Sequence, residues 1–245
     1  MAREHGNNFP FEPPTEYLGF SEQSEVMGWP DSSLVVKIKN SSREPVFASI
    51  NQAVESIHQR EALIRQAREE ISSLGSNPDT IPKIYPVIHS ATNREGITWT
   101  KTQKRFSGAE TLSQAGVNIF RLPTQSLTDL RNIFLYCAEC WMENRETGIT
   151  IDLVGSSKNC SRPRRIFNHF MPLFGSTNII IDSDQVPRFI DISFLFKGQA
   201  AKEKVRRTAE VVGTIASIGI LSSIIGVRKL ANSFKKNSLT NPLAN

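Results

Sequence analysis

Two residues with metal-binding side chains, Asn178 and Asp191, frame a short stretch of the chain. The residues between them read as a buried strand, a polar turn and a second strand, which together predict a β-hairpin. Such a hairpin brings an amide oxygen and a carboxylate side by side at its open end. That pair of oxygen ligands suits a hard divalent cation that holds nucleotide phosphates. The alternative is a plain β-hairpin, in which Asp182 and Asp184 only form the turn.

A lysine and a glutamate nearer the start of the chain are candidates for the phosphate-holding part of such a site. Lys37 lies inside the apolar, strand-like run 34–38, where its amine must reach solvent or find a counter-charge. Glu61 interrupts the apolar face of the helix that follows, and burying it unpaired would cost several kcal/mol. Lys37 is its expected partner, and Glu70 replaces Glu61 if the helix is rotated. In the alternative, the lysine points outward and Glu61 reaches water at the edge of the apolar face.

The hairpin resembles the metal-binding hairpin of the protein-kinase-like fold. There a catalytic-loop Asn precedes the metal-binding Asp of the Asp-Phe-Gly motif by the 13-residue step that separates Asn178 from Asp191. The resemblance implies that Lys37, on a third strand, holds the phosphates of ATP and that Glu61 orients it. It implies an α+β, two-lobed protein-kinase-like fold, with an antiparallel N-lobe sheet and a reduced, mostly helical C-lobe. ATP and Mg²⁺ are the cofactors that it implies.

The resemblance is incomplete around the catalytic base. Protein kinases place this Asp five residues before the catalytic-loop Asn, where this chain has Leu173. Asp152 stands further upstream, in a Gly-Ile-Thr-Ile-Asp-Leu segment similar to one that kinase-like sequences carry. Either Asp152 is the base and residues 153–173 are an insertion, or the base is lost and the protein is a pseudokinase. The metal-binding Asp191 is followed by Ile-Ser instead of Phe-Gly, and no G-x-G-x-x-G motif occurs.

Composition restricts the classes of partner and of compartment. With 245 residues, 39% of them hydrophobic, the chain has the composition of an ordinary folded protein. A net charge of +5 suits an anionic ligand or a membrane surface but is too weak and scattered to indicate a nucleic-acid partner. Three cysteines cannot all pair with one another, which favours a reducing, cytoplasmic location. The polar first residues lack the apolar core of a signal peptide.

The pattern of apolar, turn and charged residues predicts two lobes between flexible tails. We expect tails at 1–14 and 235–245, an N-lobe at 15–107 and a C-lobe at 108–234. The N-lobe is predicted to hold these elements: a strand at 34–38, a helix within 46–74 and strands at 81–88 and 97–106. The C-lobe is predicted to hold these: a helix at 126–144 capped by Ser126 or Thr128, a basic loop at 156–168, the hairpin, and a helix at about 200–232.

The last predicted helix contains an apolar segment of nearly membrane-spanning length. Residues 209–227 carry no charge after Glu210, and lysine and arginine residues flank them on both sides. This composition allows membrane contact and a membrane-associated location. A buried helix of the C-lobe is favoured, because few residues remain after Asp191 to build that lobe.

The hypothesis from the sequence is therefore an ATP/Mg²⁺-binding, kinase-like protein that transfers phosphate to an unknown hydroxyl acceptor, either a protein or a small molecule. Lys37 holds the phosphates, Glu61 orients the lysine, Asn178 and Asp191 hold the metal, and Asp152 orients the acceptor. The alternative is a catalytically inactive pseudokinase scaffold. It would engage a partner or a membrane through the basic loop and the C-terminal helix.

Overall fold

The computed structural model describes these residues: 16–21, 24–28, 34–39, 46–90, 95–106, 108–143, 148–149, 153, 161–190, 194–195 and 208–239. They form an α+β fold of helices and small antiparallel sheets. Internal contacts divide the chain into two compact units. The first unit contains the described residues up to Ala62 and those from Pro82 to Phe106. The second contains residues 63–81 and nearly all of the chain from Gly108 onward.

A five-stranded antiparallel sheet forms the first unit. Its strands are β1 (Glu16–Ser21), β2 (Ser24–Gly28), β3 (Leu34–Lys39), β4 (Tyr85–Ser90) and β5 (Ile97–Lys104). They lie in the order β1-β2-β3-β5-β4, so the chain leaves the sheet after β3 and returns to it at the far edge. Helix α1 (Ile50–Ser73) makes this connection. The predicted strand around Lys37 and the predicted helix after it are both present.

Helix α1 has the apolar face that its sequence predicts. Its buried hydrophobic residues recur every three or four positions or at multiples of that spacing: Ala53, Ile57, Ile64, Ala67 and Ile71. The helix ends at Gly75, whose φ of +81° is in the left-handed region that glycine adopts without strain. Asn77 then caps a short 3₁₀ turn at Pro78–Thr80, because its side chain accepts a hydrogen bond from the Asp79 backbone N–H at 2.9 Å. This turn explains why β4 begins at Tyr85 and not at the predicted residue 81.

Helices dominate the second unit. They are α2 (Leu112–Ala115), α3 (Thr124–Met142), α4 (Arg162–Phe170), α5 (Pro172–Gly175) and α6 (Thr208–Leu239). Helix α3 forms the centre of this unit and packs against α6. Its inward residues are fully buried, among them Leu127, Leu130, Ile133 and Phe134. The predicted helix is thus confirmed as the core helix of its unit.

The structure corrects the predicted start of α3. The helix begins at Thr124, with Pro123 in the capping position and no side-chain cap. Ser126, one of the two predicted caps, is buried inside the helix. Thr128, the other, donates its hydroxyl proton to the Thr124 carbonyl oxygen at 2.9 Å, which is a bond within the helix and not a cap.

Two further boundaries differ from the prediction. The predicted basic loop at 156–168 is wrong over its last part, because α4 begins at Arg162. Pro163 occupies the first turn of α4, where proline's fixed φ favours helix initiation. The predicted helix at about 200–232 is present as α6, which spans Thr208–Leu239 and so extends past the predicted end, while residues 200–207 lie outside the described residues.

Short strands complete the second unit. β6 (Glu110–Thr111), β8 (Ile179–Ile181) and β9 (Pro187–Phe189) form a sheet in the order β6-β8-β9. β7 (Gly148–Ile149) pairs with β10 (Phe194–Leu195), the strand that follows the predicted metal hairpin in sequence. The hairpin predicted between Asn178 and Asp191 is β8 and β9.

Candidate functional site

The β8–β9 hairpin has a regular antiparallel register. Ile179 pairs with Phe189, Ile180 with Arg188 and Ile181 with Pro187. Beyond these pairs, the Ile190 backbone N–H donates to the Asn178 carbonyl oxygen at 2.8 Å. All three residues of β8 are buried. The hairpin is therefore anchored in its unit, and its backbone pairing extends to Asn178.

Of the two predicted metal ligands, Asn178 lies within the described residues. Asn178 is buried, 6% exposed, at the start of β8. Asp191 directly follows Ile190, the residue paired with Asn178, but lies outside the described residues. The buried amide oxygen of Asn178 is a hard ligand of the kind that Mg²⁺ accepts. Its role as a metal ligand stays a prediction.

The turn of the hairpin is built around Asp182. Its Oδ1 accepts hydrogen bonds from the backbone N–H groups of Asp184, at 3.0 Å, and Val186, at 2.8 Å. Its Oδ2 accepts a bond from Nε of Arg188 at 2.7 Å, and this ion pair is nearly buried. Arg188 in turn donates to the Asp79 carbonyl oxygen at 2.9 Å. Asp182 therefore stabilises the turn, as predicted, and both of its oxygens have partners in the chain.

Ser176 connects three segments around the hairpin and was not identified from the sequence. Its hydroxyl donates to the Leu153 carbonyl oxygen and accepts from the Ile179 N–H at 3.1 Å. Its own carbonyl oxygen accepts from the Ser113 N–H at 3.0 Å. Ser176 is completely buried. It thereby ties the residue directly after Asp152 to the start of the hairpin.

The position of a conventional kinase base is a packing position in this chain. Leu173 lies on α5 and is completely buried. The neighbouring Gly175 lies so close to Asn168 that an added Cβ would be 2.5 Å from the Asn168 Cβ. No acidic side chain occurs in α5. Asp152, the alternative base, lies outside the described residues.

The predicted phosphate-holding pair belongs to the first unit. Lys37 lies on β3 opposite Val26 of β2, but its side chain is not among those described. Glu61 is exposed on α1, as in the alternative in which it reaches water. Glu70, the other proposed partner, accepts a hydrogen bond from Gln66 Nε2 at 2.8 Å. Pairing between Lys37 and Glu61 stays a prediction.

A second polar cluster lies between α3, α4 and α6, and the sequence did not indicate it. Glu210 at the start of α6 is almost completely buried, and its Oε1 lies 2.8 Å from Nδ1 of His169. Burial raises the pKa of the Cys137 thiol, and the nearby Cys140 and Glu210 raise it further. Burial also raises the pKa of Tyr136. Among the described residues, no three histidine, cysteine or acidic side chains are arranged to hold a metal ion.

A shallow depression of about 520 Å³ lies elsewhere in the second unit, along the C-terminal half of α1. Arg68 lines it and bonds to the Asp79 carboxylate at 2.7 Å and to the Ile81 carbonyl oxygen at 2.5 Å. None of the predicted site residues lines this depression. We therefore do not assign the nucleotide site to it.

Comparison of the chain with protein-family models, curated proteins and solved structures finds no match. The function of the chain is therefore inferred from its own residues and geometry. The described geometry consists of a buried hairpin with an asparagine at its open end, a carboxylate-centred turn and a buried serine that ties residue 153 to the hairpin.

Proposed function

We propose that the chain binds ATP together with Mg²⁺ and transfers a phosphoryl group to a hydroxyl acceptor, either a protein or a small molecule. The observation that carries this proposal is the hydrogen bond between Ile190 and Asn178. Because Asp191 directly follows Ile190, the backbone pairing supports an amide and a carboxylate at the same open end of one hairpin. An Asn and an Asp hold the metal in the protein-kinase chemistry that this chain resembles.

The order of elements also supports a protein-kinase-like fold. Lys37 is on the third strand, and the helix that follows this strand carries Glu61. Two more strands of the first unit, β4 and β5, precede Gly108, where the chain re-enters the second unit. Gly108 marks this transition. The metal hairpin then follows the core helix α3, as the resemblance implies.

In this proposal the chain's own residues position the reactants. Lys37 binds the phosphates, and Asn178 and Asp191 hold the cation, which neutralises charge on the phosphates when it is bound. Asp152 orients the acceptor hydroxyl. The bond from Ser176 to the Leu153 carbonyl oxygen restrains the backbone beside Asp152. Positioning of this kind supplies much of the catalysis in phosphoryl transfer.

A second candidate function is a pseudokinase scaffold without catalytic activity. Leu173 favours it, because a buried apolar side chain occupies the position of the conventional base. The exposed Glu61 favours it as well, since phosphoryl transfer in kinases requires the pairing of this glutamate with the lysine. Such a scaffold could still bind ATP and Mg²⁺.

The proposal is tested by thermal unfolding of the full chain in the presence of ATP alone, of Mg²⁺ alone, and of ATP and Mg²⁺ together. At 100-fold excess over Kd, a ligand adds about 2.7 kcal/mol of stability, which corresponds to roughly 5–10 °C in Tm for a chain of this size. We expect this shift only when both are present, and we expect Asp191→Ala to abolish it. Asp184→Ala is the matched control, since Asp184 is an exposed carboxylate in the turn of the same hairpin.

Turnover separates the two candidate functions. ATP hydrolysis or autophosphorylation that is lost in both Asp191→Ala and Asp152→Asn supports the phosphotransferase. A metal-dependent Tm shift without any turnover supports the pseudokinase scaffold. If millimolar ATP with Mg²⁺ produces no shift in the wild-type chain, nucleotide binding itself is refuted.

A further inference from the structure

Helix α6 buries several polar residues and exposes several large apolar ones. Its buried positions include the polar residues Glu210, Thr214 and Ser217 as well as the apolar residues Leu221 and Ile225. The hydroxyls of Thr214 and Ser217 donate to carbonyl oxygens one turn earlier, at 2.6 and 2.7 Å, so these polar groups are satisfied inside the helix. Large apolar residues of the helix are each at least 50% exposed: Val212, Ile215, Val227, Leu230 and Phe234. A helix that served only the core of its unit would bury most of its large apolar residues.

Helix α4 also exposes large apolar residues and lies against α6. Asn168 is buried, whereas Ile166, Phe167 and Phe170 are each about half exposed. The two backbones touch, because a Cβ added at Gly213 would lie 2.5 Å from the Phe170 carbonyl oxygen. The exposed apolar residues of α4 therefore adjoin those at the start of α6. We name this surface the apolar face, and it consists of Ile166, Phe167, Phe170, Val212 and Ile215. Exposed apolar surface spread over two touching helices is typical of an interaction site.

The segments that carry the apolar face are rich in basic residues. Residues 161–170 contain three arginines and no acidic residue, and residues 211–245 contain four basic residues and no acidic one. Among these, Lys229 is exposed on α6. In the sequence, residues 202–207 before the helix contain four basic residues and one acidic residue, Glu203. Basic residues in the same segments as exposed aromatic and aliphatic residues are complementary to an anionic lipid surface.

We propose that the apolar face docks the second unit onto an anionic membrane surface, with Phe167 and Phe170 entering the lipid and the neighbouring lysine and arginine side chains contacting the headgroups. The cytoplasmic leaflet carries such anionic lipids. The partner is a lipid surface and not a second copy, because two copies would bring like-charged basic segments together.

The helix docks on the membrane and does not span it. Ala209–Phe234 is long and apolar enough to cross a membrane by length and composition, but about a third of its apolar window is buried inside the protein. Arg228 also connects α6 to the segment before α3, through hydrogen bonds to the Phe120 and Leu122 carbonyl oxygens. Insertion across the bilayer would break these bonds and the contact between His169 and Glu210.

Flotation of the full chain with lipid vesicles tests this proposal. The vesicles contain phosphatidylcholine alone or phosphatidylcholine with about 30% phosphatidylserine, which supplies the negative surface potential. We expect the chain to float with the anionic vesicles and not with the neutral ones. High salt should release it from the anionic vesicles.

Two variants with matched controls locate the contact. Phe167→Ser is expected to weaken partition into anionic vesicles about tenfold, since it removes an aromatic side chain from the lipid. Ile50→Ser, a change at an equally exposed residue of the first unit, leaves partition unchanged. Lys229→Gln is expected to weaken it about fivefold, because one basic residue near the surface is lost. Lys83→Gln, at an exposed lysine of the first unit, is the charge control.

Four outcomes would count against the proposal. The first is an absence of flotation with anionic vesicles at low salt. The second is retention in carbonate and high salt, which would mean that α6 spans the bilayer. The third is a concentration-dependent dimer, without vesicle binding, that Phe167→Ser dissociates, which would make a second copy the partner. Binding that Ile50→Ser weakens as much as Phe167→Ser does would also count against the apolar face.

Discussion

The two ends of the β8–β9 hairpin are held by different contacts. At the turn, the Asp182 carboxylate accepts two backbone hydrogen bonds and one from Arg188, so the chain itself uses both oxygens. At the open end, the backbone of the buried Asn178 pairs with that of Ile190. The comparison shows that Asp182 has a structural role, because the chain supplies its donors. We propose that the cation binds at the other end, beside Asn178 and Asp191.

The largest effect expected from this comparison is on stability. Asp182→Ala leaves Arg188 nearly buried without its counter-charge, and removing one partner of a buried pair typically costs about 3–5 kcal/mol. Urea unfolding measures this loss. Asp184→Ala, in the same turn but exposed, should change the free energy of unfolding by less than about 0.5 kcal/mol. Equal effects of the two changes would contradict a structural role that is specific to Asp182.

Ser176→Ala tests the contacts that hold the open end of the hairpin. The change leaves the buried Ile179 N–H and the Leu153 carbonyl oxygen without this hydroxyl, at a cost of about 1–3 kcal/mol. If Asp152 orients the acceptor, kcat should fall, because the lost hydroxyl ties the backbone beside Asp152 to the start of the hairpin. Ser183→Ala, at an exposed position of the turn, is the control. An unchanged kcat in Ser176→Ala would contradict this positioning role of Ser176.

High pH should destabilise the second unit through groups away from the hairpin. Burial raises the pKa of Cys137 above its ordinary value of 9.0 and that of Tyr136 above 10.0. The folded state keeps these protons, while the unfolded state releases them, so stability is intact below about pH 9 and falls as the pH rises further. The slope should approach about 1.4 kcal/mol per pH unit for each group. Urea unfolding at several alkaline pH values measures it, and Tyr136→Phe should remove the component above about pH 10. A stability that is independent of pH above pH 10 would contradict the burial of both groups.

The smallest effect is expected at Glu61. Because this residue is exposed on α1, Glu61→Gln should change the free energy of unfolding by less than about 0.5 kcal/mol. Its effect on the Kd for ATP distinguishes the two interpretations of the first unit. Weakened binding, matched by Lys37→Met and not additive with it, supports a pair that forms with nucleotide. Unchanged binding leaves Glu61 as a solvent-exposed residue of the helix.

The sequence predicted the elements whose pattern is local. Periodicity within a few turns predicted which side of α1 is buried. Turn chemistry within a few residues predicted the hairpin and the role of Asp182 in its turn. The start of α3 was mispredicted, because Ser126 and Thr128 are good caps in isolation, but packing continues the helix back to Thr124. Likewise, the arginines at the start of α4 suggested a loop, whereas Pro163 and the residues after it form a helix.

The site was less predictable than the fold because its supporting contacts join distant segments. Ser176 bonds to Leu153, which lies 23 residues away, and His169 contacts Glu210, which lies 41 residues away. Neither serine nor glutamate carries a local signal of such a partner. The exposed apolar residues of α6 were also not predicted, because hydrophobicity alone would have placed them inside. The helix instead buries Thr214 and Ser217, whose hydroxyls bond to the backbone of their own helix.

A double-mutant cycle on residues 178 and 191, with ATP affinity measured by calorimetry, tests the central claim most directly. If Asn178 and Asp191 hold one cation, Asn178→Ala and Asp191→Ala should each weaken ATP binding in Mg²⁺. Their effects should also be coupled by about 1 kcal/mol or more, a coupling that disappears when EDTA removes the metal. Additive effects, or weakening that is equal with and without Mg²⁺, would contradict the proposal that these two side chains share a metal ion.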